Sequence, residues 1–298
     1  MYQLPGGVMK FVYYDFRSRS KSASIDLLFP EWKGKDETVV IFSPHDDDAI
    51  LGAGYLLLAA LENGARVYVI IACDGRAGYS DVSCKDDIVR IREAETLDAY
   101  GVLGVSQHHI VRLGLPDFSA NFYIGWIFPD KTEGTFPKTI QNLRKFRATR
   151  VAVPNQYREH ADHEAVARMG RYDVPQVGDD VLVDWGKPCR VATCLEYSVW
   201  ADFSPEDALV SGAPRGMRAS RAILAEKVVE EKIFEAVRKF KSQEKVIADL
   251  VNARKYRISG NSALELYLEI DPRPFLDYRP YWREIRGMEA AKRSRKMN

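Results

Sequence analysis

Two continuous apolar runs lie near the start of the chain, Val39-Val40-Ile41-Phe42 and Val67-Tyr68-Val69-Ile70-Ile71. Both are rich in β-branched and aromatic residues, as buried strands are. Between them, Asp48 to Asn63 reads as a helix stopped by Gly64. A strand, a helix and a second strand, with neither strand alternating, predict a parallel sheet covered on both faces.

The pattern continues along the chain. A helix is expected from about Asp86 to Ala99, and a short strand at His109-Ile110-Val111. Leu113 to Thr135 carries Pro116, Pro129 and three glycines and reads as irregular surface loop. A helix from Pro137 to Phe146 leads to the strand Arg150-Val151-Ala152-Val153, then a helix from His163 to Arg171 and a strand from Arg190 to Tyr197. Ser220 to Arg257 is charged and helical in pattern. Leu264 to Ile270 alternates strictly, as a strand with one wet face does. The expected fold is α/β: a Rossmann-like, mainly parallel sheet with helices on both faces and a C-terminal helical and strand elaboration. With no linker and no internal repeat, residues 1–298 read as one domain, with a core over about 38–200 and the elaboration over about 201–298.

Composition adds little beyond exclusions. Apolar residues make up 46% of the chain, charged residues 29%, and the formal charge is +1. No global field favours nucleic acid or an anionic membrane surface. The basic segment Lys292-Arg293-Ser294-Arg295-Lys296 reads as a solvated terminus. The four cysteines, Cys73, Cys84, Cys189 and Cys194, form no CxxC pair, and a reducing compartment fits them. Cys73 ends an apolar run and reads as a buried small hydrophobe. The longest apolar run, Leu51 to Leu61, is about half of the ~20 residues that cross a bilayer. No signal-peptide pattern opens the chain. A cytoplasmic protein is expected, inserted in no membrane and binding no nucleic acid; a homo-oligomer is left open.

The informative segments are Pro44-His45-Asp46-Asp47-Asp48 and His160-Ala161-Asp162-His163. Each follows a predicted strand, and in open α/β sheets ligands bind beyond the carboxyl ends of strands. Three of the chain's five histidines fall in these segments. A catalytic zinc uses three protein ligands from imidazole and carboxylate and keeps a fourth position open. Two histidines and one carboxylate meet that need. Three successive aspartates repel one another, and a cation relieves the repulsion. The plain alternative is an acidic helix N-terminus at Asp46 to Asp48 and solvated loop histidines at 160 and 163.

The sequence resembles the LmbE-like family, also called the PIG-L family of N-acetylglucosaminyl deacetylases. That family carries His-Pro-Asp-Asp after its first strand and His-x-Asp-His later. Here these stand as His45-Asp46-Asp47-Asp48 and His160-Ala161-Asp162-His163. Arg92-Glu93-Ala94-Glu95 running to Leu103-Gly104-Val105, the loop Asp74-Gly75-Arg76-Ala77-Gly78 and the turn Leu115-Pro116-Asp117 resemble further family elements. The likeness spans about Val39 to Arg171. Asp46 and Ala161 replace the usual prolines, and Ala49 replaces a usual acidic residue. The resemblance implies a zinc-dependent N-deacetylase acting on a small-molecule or glycan substrate that contains an amino sugar. It implies one Zn2+ on His45, Asp48 and His163, with Asp47 as general base and His160 polarising the carbonyl or stabilising its oxyanion as a cation. Arg92 and Asp117 are implied near the substrate. Asp162 is expected to orient His160 as a supporting carboxylate.

Other features favour other readings less. Gly52-Ala53-Gly54 suggests a dinucleotide-binding oxidoreductase, with Asp74 as the ribose acid. The glycines lie inside the helix, however, and the third glycine of GxGxxG falls at Leu57, so close packing explains them better. His108 and His109, as strand neighbours, would face opposite ways. Tyr278, Tyr281 and Trp282 are expected to pack rather than to line a sugar site. A catalytically dead member of the same fold would be expected to have lost ligands, and here the set is intact.

Overall fold

The computed structural model describes residues 9–271 and 273–295. The chain opens with two strands, β1 (Phe11–Asp15) and β2 (Ser20–Ser22). Then come β3 (Thr38–Ser43), α1 (Asp48–Glu62), β4 (Arg66–Cys73), α2 (Ile88–Val102) and β5 (Ile110–Leu115). The second part of the core holds α3 (Thr135–Phe146), β6 (Arg150–Pro154), α4 (Ala161–Arg168) and β7 (Thr193–Tyr197). After it follow α5 (Pro205–Val210), β8 (Arg221–Glu226), α6 (Lys227–Val237) and α7 (Glu244–Arg254). The last elements are β9 (Ile258–Ser259), β10 (Ser262–Ile270) and α8 (Arg279–Arg295).

One sheet runs through the molecule in the order β2-β1-β8-β10-β7-β6-β3-β4-β5, with β9 paired to β10. The five core strands β7, β6, β3, β4 and β5 are parallel, and the remaining pairs are antiparallel. The strand period of two sorts the side chains between the faces. Val39 and Ile41 join one core with residues of α1, α2, α6 and α7. Val40 and Phe42 join the other, against Ile140, Leu143 and Val166 of α3 and α4.

The strand order decides where chemistry belongs. From β3 the chain winds outward through β4 to β5, then returns to β6 on the other side of β3. The crevice between the carboxyl ends of β3 and β6 is therefore a topological switch point, where such sheets bind ligands. Register pairs Val39 with Arg150 and Ile41 with Ala152, so both strands end side by side.

Several expectations need correction. The helical pattern from Ser220 breaks at its start, because Arg221–Glu226 is strand β8. Its residues are good helix formers, but β1 and β10 bond it on both sides, and that pairing overrides local preference. Leu264 to Ile270 is a strand, yet Glu265 on the expected wet face is 0% exposed and Leu266 is 38% exposed. Glu265 accepts from the Tyr55 backbone N–H at 2.8 Å and lies 3.5 Å from Arg254 Nη1. The strand at 109–111 extends to Leu115, and His108 and His109 sit in a turn before it. The helix at His163 starts two residues earlier and gives way to a wider π turn, Met169–Asp173. Tyr278, Tyr281 and Trp282 are exposed rather than packed. In the basic segment, the backbone of 292–295 continues α8 and Lys296 lies outside the described residues.

The glycine pair in α1 is a packing feature. A Cβ at Gly52 would stand 2.2 Å from the Tyr197 ring, and one at Gly54 would stand 2.5 Å from Ile233. That removes the residue basis of the dinucleotide reading. Among the described residues, no helix is long and apolar enough to cross a membrane.

Candidate metal centre

The turn between β3 and α1 is built by short bonds. Ser43 Oγ donates to the His45 carbonyl at 2.5 Å and accepts from the Ala49 N–H at 3.0 Å. The Pro44 carbonyl accepts from the Cys73 N–H at 2.9 Å, tying the turn to the end of β4. Asp46, where the family has proline, is fully buried. It accepts from Thr96 Oγ1 at 2.7 Å and from Arg92 Nε at 3.1 Å, and it also pairs with Arg112. Two arginines and a hydroxyl thus hold the turn that proline would otherwise stiffen. Ala161 needs no compensation. It opens α4 directly after the cap His160, where proline and alanine both fit.

This framing brings His45, Asp48 and His163 together. One ligand atom from each lies within 4.8 Å of the others. Asp48 Oδ2 is 3.0 Å from His45 Nδ1 and 3.1 Å from His163 Nε2. The His45 and His163 ring centres are 5.6 Å apart. Each imidazole has its outer nitrogen on a carboxylate. His45 Nε2 lies 3.1 Å from Asp162 Oδ2, and His163 Nδ1 lies 2.6 Å from Glu159 Oε2. A proton on each outer nitrogen leaves both inner nitrogens with lone pairs facing Asp48, which is how metal-binding histidines are oriented. Among the described residues, His163 Nε2 is buried and makes no hydrogen bond of good geometry, its 3.1 Å approach to Asp48 Oδ2 included. A buried nitrogen without a partner is costly, and a cation at this point would satisfy it.

The electrostatics agree. Burial works against charge at His163, but the Asp48 and Glu159 carboxylates outweigh it and push the ring up to about 9. Burial likewise opposes charge at Asp48, yet His163 and His45 hold it well below the usual carboxylate range. The cluster is an anionic cradle that protons fill when nothing else does. Two overlapping sets, His45 with Cys73 and Asp117 and His45 with His160 and Asp162, also have metal-like spacing. Burial pushes the Cys73 thiol up to about 12, and Asp117 spends its oxygens on the N–H groups of Gly75 and Ala77, at 3.0 and 2.8 Å. The carboxylate of Asp162 accepts from the Phe118 and Ala120 N–H groups as well as facing His45. Of the three sets, the first is the one with a buried, unsatisfied ligand atom pointing inward.

The flanking residues bond mainly to the protein around them. Arg92 is 1% exposed, its guanidinium bonded to Asp46 and Gln243 and 3.6 Å from Asp47 Oδ1. It braces Asp46 and Asp47. Asp117 shapes the loop after β4 through both oxygens. Asp162 supports His45 rather than His160, its Oδ2 standing 3.5 Å from His160 Nδ1. His160 instead caps α4, with Nδ1 accepting from the Asp162 N–H at 3.1 Å. That bond needs an unprotonated Nδ1, and burial together with His45 lowers the ring's pKa. Both features favour the neutral ring, with its proton on Nε2, in the structure as it stands. Asp47 sits beside the cradle, 7% exposed, and burial pushes its carboxyl up against the pull of Arg92.

Sequence reasoning passed over Glu159, Phe118 and Trp200. The Phe118 ring meets His160 edge-on at 4.4 Å, and the Trp200 ring lies parallel to His163 at 5.6 Å and 14°. Both aromatics are more than half exposed, at 67% and 51%. They form opposite sides of a row of imidazoles.

Comparison with known proteins places this site. Residues 40–172 match the PIG-L family, described as GlcNAc-PI de-N-acetylase. This segment belongs to the PIG-L family. The PIG-L segment runs from inside β3 to the π turn and contains all eight residues of the two motifs, His45 to Asp48 and His160 to His163. No curated protein sequence matches the chain. Solved structures share this fold over most of the chain. A conserved protein from Thermus thermophilus is 22% identical with a TM-score of 0.56, over 80% of this chain and 97% of that one. The N,N'-diacetylchitobiose deacetylase from Pyrococcus horikoshii is 17% identical, with a TM-score of 0.58 over 83% and 90%. The 4-carboxy-2-hydroxymuconate hydratase GalB from Pseudomonas putida is 14% identical, with a TM-score of 0.58 over 81% and 99%. At these identities the likeness is one of fold, and two different activities stand on it.

Proposed function

We propose that the chain is a zinc-dependent hydrolase that removes an N-acyl group, acetyl above all, from an amino-sugar-containing substrate. The observation that carries this reading is the unpartnered, buried Nε2 of His163, facing Asp48 and His45 across the switch point. His45, Asp48 and His163 would hold the metal. When bound, zinc supplies a Lewis acid and lowers the pKa of water to about 7. Asp47, desolvated beside the cradle, accepts the proton of the attacking water and returns it to the leaving nitrogen. His160 donates from Nε2 to the oxygen on which charge develops, its other nitrogen fixed by the α4 cap. Arg92 and Asp46 keep Asp47 in place from behind. The family description and the chitobiose deacetylase fold support the amino-sugar half.

The test separates the neighbouring carboxylates. Zinc content and acetate release from N-acetylglucosamine and diacetylchitobiose are measured for the wild type, Asp47→Asn and Asp48→Ala. Asp47→Asn should keep zinc and lose activity, whereas Asp48→Ala should lose both. Zinc retained in Asp48→Ala but lost in Asp47→Asn would move the ligand to position 47. A zinc-replete chain that cleaves another amide but no amino sugar would overturn the substrate half alone.

A further inference from the structure

We propose that Glu159 is a positioning residue with two tasks: it selects the nitrogen that His163 presents to the metal, and it fixes the loop that stands Trp200 over the same ring. The inference rests on the metal-centre reading above.

Glu159 precedes the His-x-Asp-His motif, and its side chain is 0% exposed. Oε2 takes the His163 Nδ1 proton at 2.6 Å. With that proton held there, the neutral ring that binds a metal carries its lone pair on Nε2, the atom 3.1 Å from Asp48. Oε1 faces the loop after β7. It accepts from the backbone N–H groups of Val199, Trp200 and Ala201 at 2.9, 3.2 and 3.1 Å, while the nearby Ser198 hydroxyl donates to the Ala201 carbonyl. Three successive amides converging on one oxygen form a concave anion site, which a carboxylate fills well. Arg257 closes the loop from outside, its Nη2 donating to the carbonyls of Ser198 and Val199 at 3.3 and 3.2 Å. The Trp200 indole then lies parallel to the His163 ring, half open to solvent.

The four N–H groups aimed at Glu159 are all donors, so both oxygens must accept. A glutamine has one acceptor and one NH2, and its NH2 must oppose either the His163 N–H or the three amides. One of the two tasks fails in either orientation, at little change in volume.

The experiment uses the full chain, stripped of metal and titrated with zinc against a chromophoric chelator. Glu159→Gln should weaken zinc binding by roughly 10–100-fold, the usual cost of losing such a partner. Its far-UV circular dichroism should match the wild type. Acrylamide quenching of tryptophan emission should rise in Glu159→Gln and not in Glu159→Gln combined with Trp200→Phe, reporting release of the loop. If Glu159→Gln does not fold, nitrogen-15 histidine spectra of the zinc-loaded wild type decide instead: His163 should carry its proton on Nδ1 and bind through Nε2. Zinc affinity of Glu159→Gln within about twofold of the wild type, far inside the expected range, or a zinc-loaded His163 protonated on Nε2, would overturn the proposal while leaving the metal centre standing. A wild type that takes up no zinc would overturn both.

Discussion

Asp173 closes the π turn after α4, the helix that carries His163. The residue is 7% exposed, and its Oδ2 is buried without a hydrogen-bond partner. Burial alone pushes its carboxyl up to about 7 from 3.8. The folded chain therefore keeps this proton through a range in which the unfolded chain gives it up. Below pH about 4 both states are protonated and the group is neutral in the balance. Between pH about 4 and 7 the unfolded state gains by ionising, so stability falls as pH rises, and above about 7 the loss is constant. A shift of about three units at ~1.36 kcal/mol each gives ~4 kcal/mol at the plateau. Asp173→Asn keeps the shape and cannot ionise. Its stability relative to the wild type should rise by about 4 kcal/mol between pH 4 and pH 8. Any fixed cost of burying the amide cancels in that difference. Urea unfolding of both proteins at about pH 4.5, 6 and 8 spans the linkage window and provides the comparison. A difference in unfolding free energy that stays the same at all three values would show that Asp173 is ionised and satisfied in the folded protein.

Two further substitutions probe the packing that frames the site. Arg254→Met removes the guanidinium that meets Glu230 at 2.6 and 2.9 Å in the buried layer between α1, α6 and β10. It should cost about 3–5 kcal/mol in equilibrium unfolding, because Glu230 is left as an uncompensated buried charge; a cost under ~1 kcal/mol would mean that water or Arg257 replaces the lost guanidinium. Gly52→Ala would place a Cβ 2.2 Å from a Tyr197 ring whose hydroxyl donates to the Phe42 carbonyl at 2.6 Å. That ring cannot swing away freely, so thermal denaturation should show a loss of about 1–3 kcal/mol, and an unchanged midpoint would refute the close approach.

The sequence disclosed the centre of the molecule better than its margins, for physical reasons. The strands at 38–43, 66–73 and 150–154 are buried on both faces, so their composition is unambiguous. His45, Asp48 and His163 were legible because ligand types cluster directly after such strands. Outside that centre, meaning depends on partners distant in sequence. Nothing local in Arg221–Glu226 says strand, since β1 and β10 make it one. Glu265 looked wet because strand alternation alone does not show that Arg254 and Arg257 fold back on it, or that the Tyr55 N–H of α1 reaches it. Asp46 stands in the sequence as an unexplained departure, and the convergence of Arg92 and Arg112 upon it supplies the reason. Glu159 had the sharpest missed signal: it stands four residues before His163, beside a motif already in hand.

The sheet order also constrains how the protein is made. Its second half closes on its first, since Phe11 pairs with Ala225 and Asp15 with Arg221. On the ribosome β1 emerges early and must wait for roughly two hundred residues of chain before its partner exists. The parallel strands from β3 to β7 can assemble meanwhile, through shorter connections. The hairpin β1–β2 can thus join the sheet only once β8 exists, and until then β8 presents an unpaired edge.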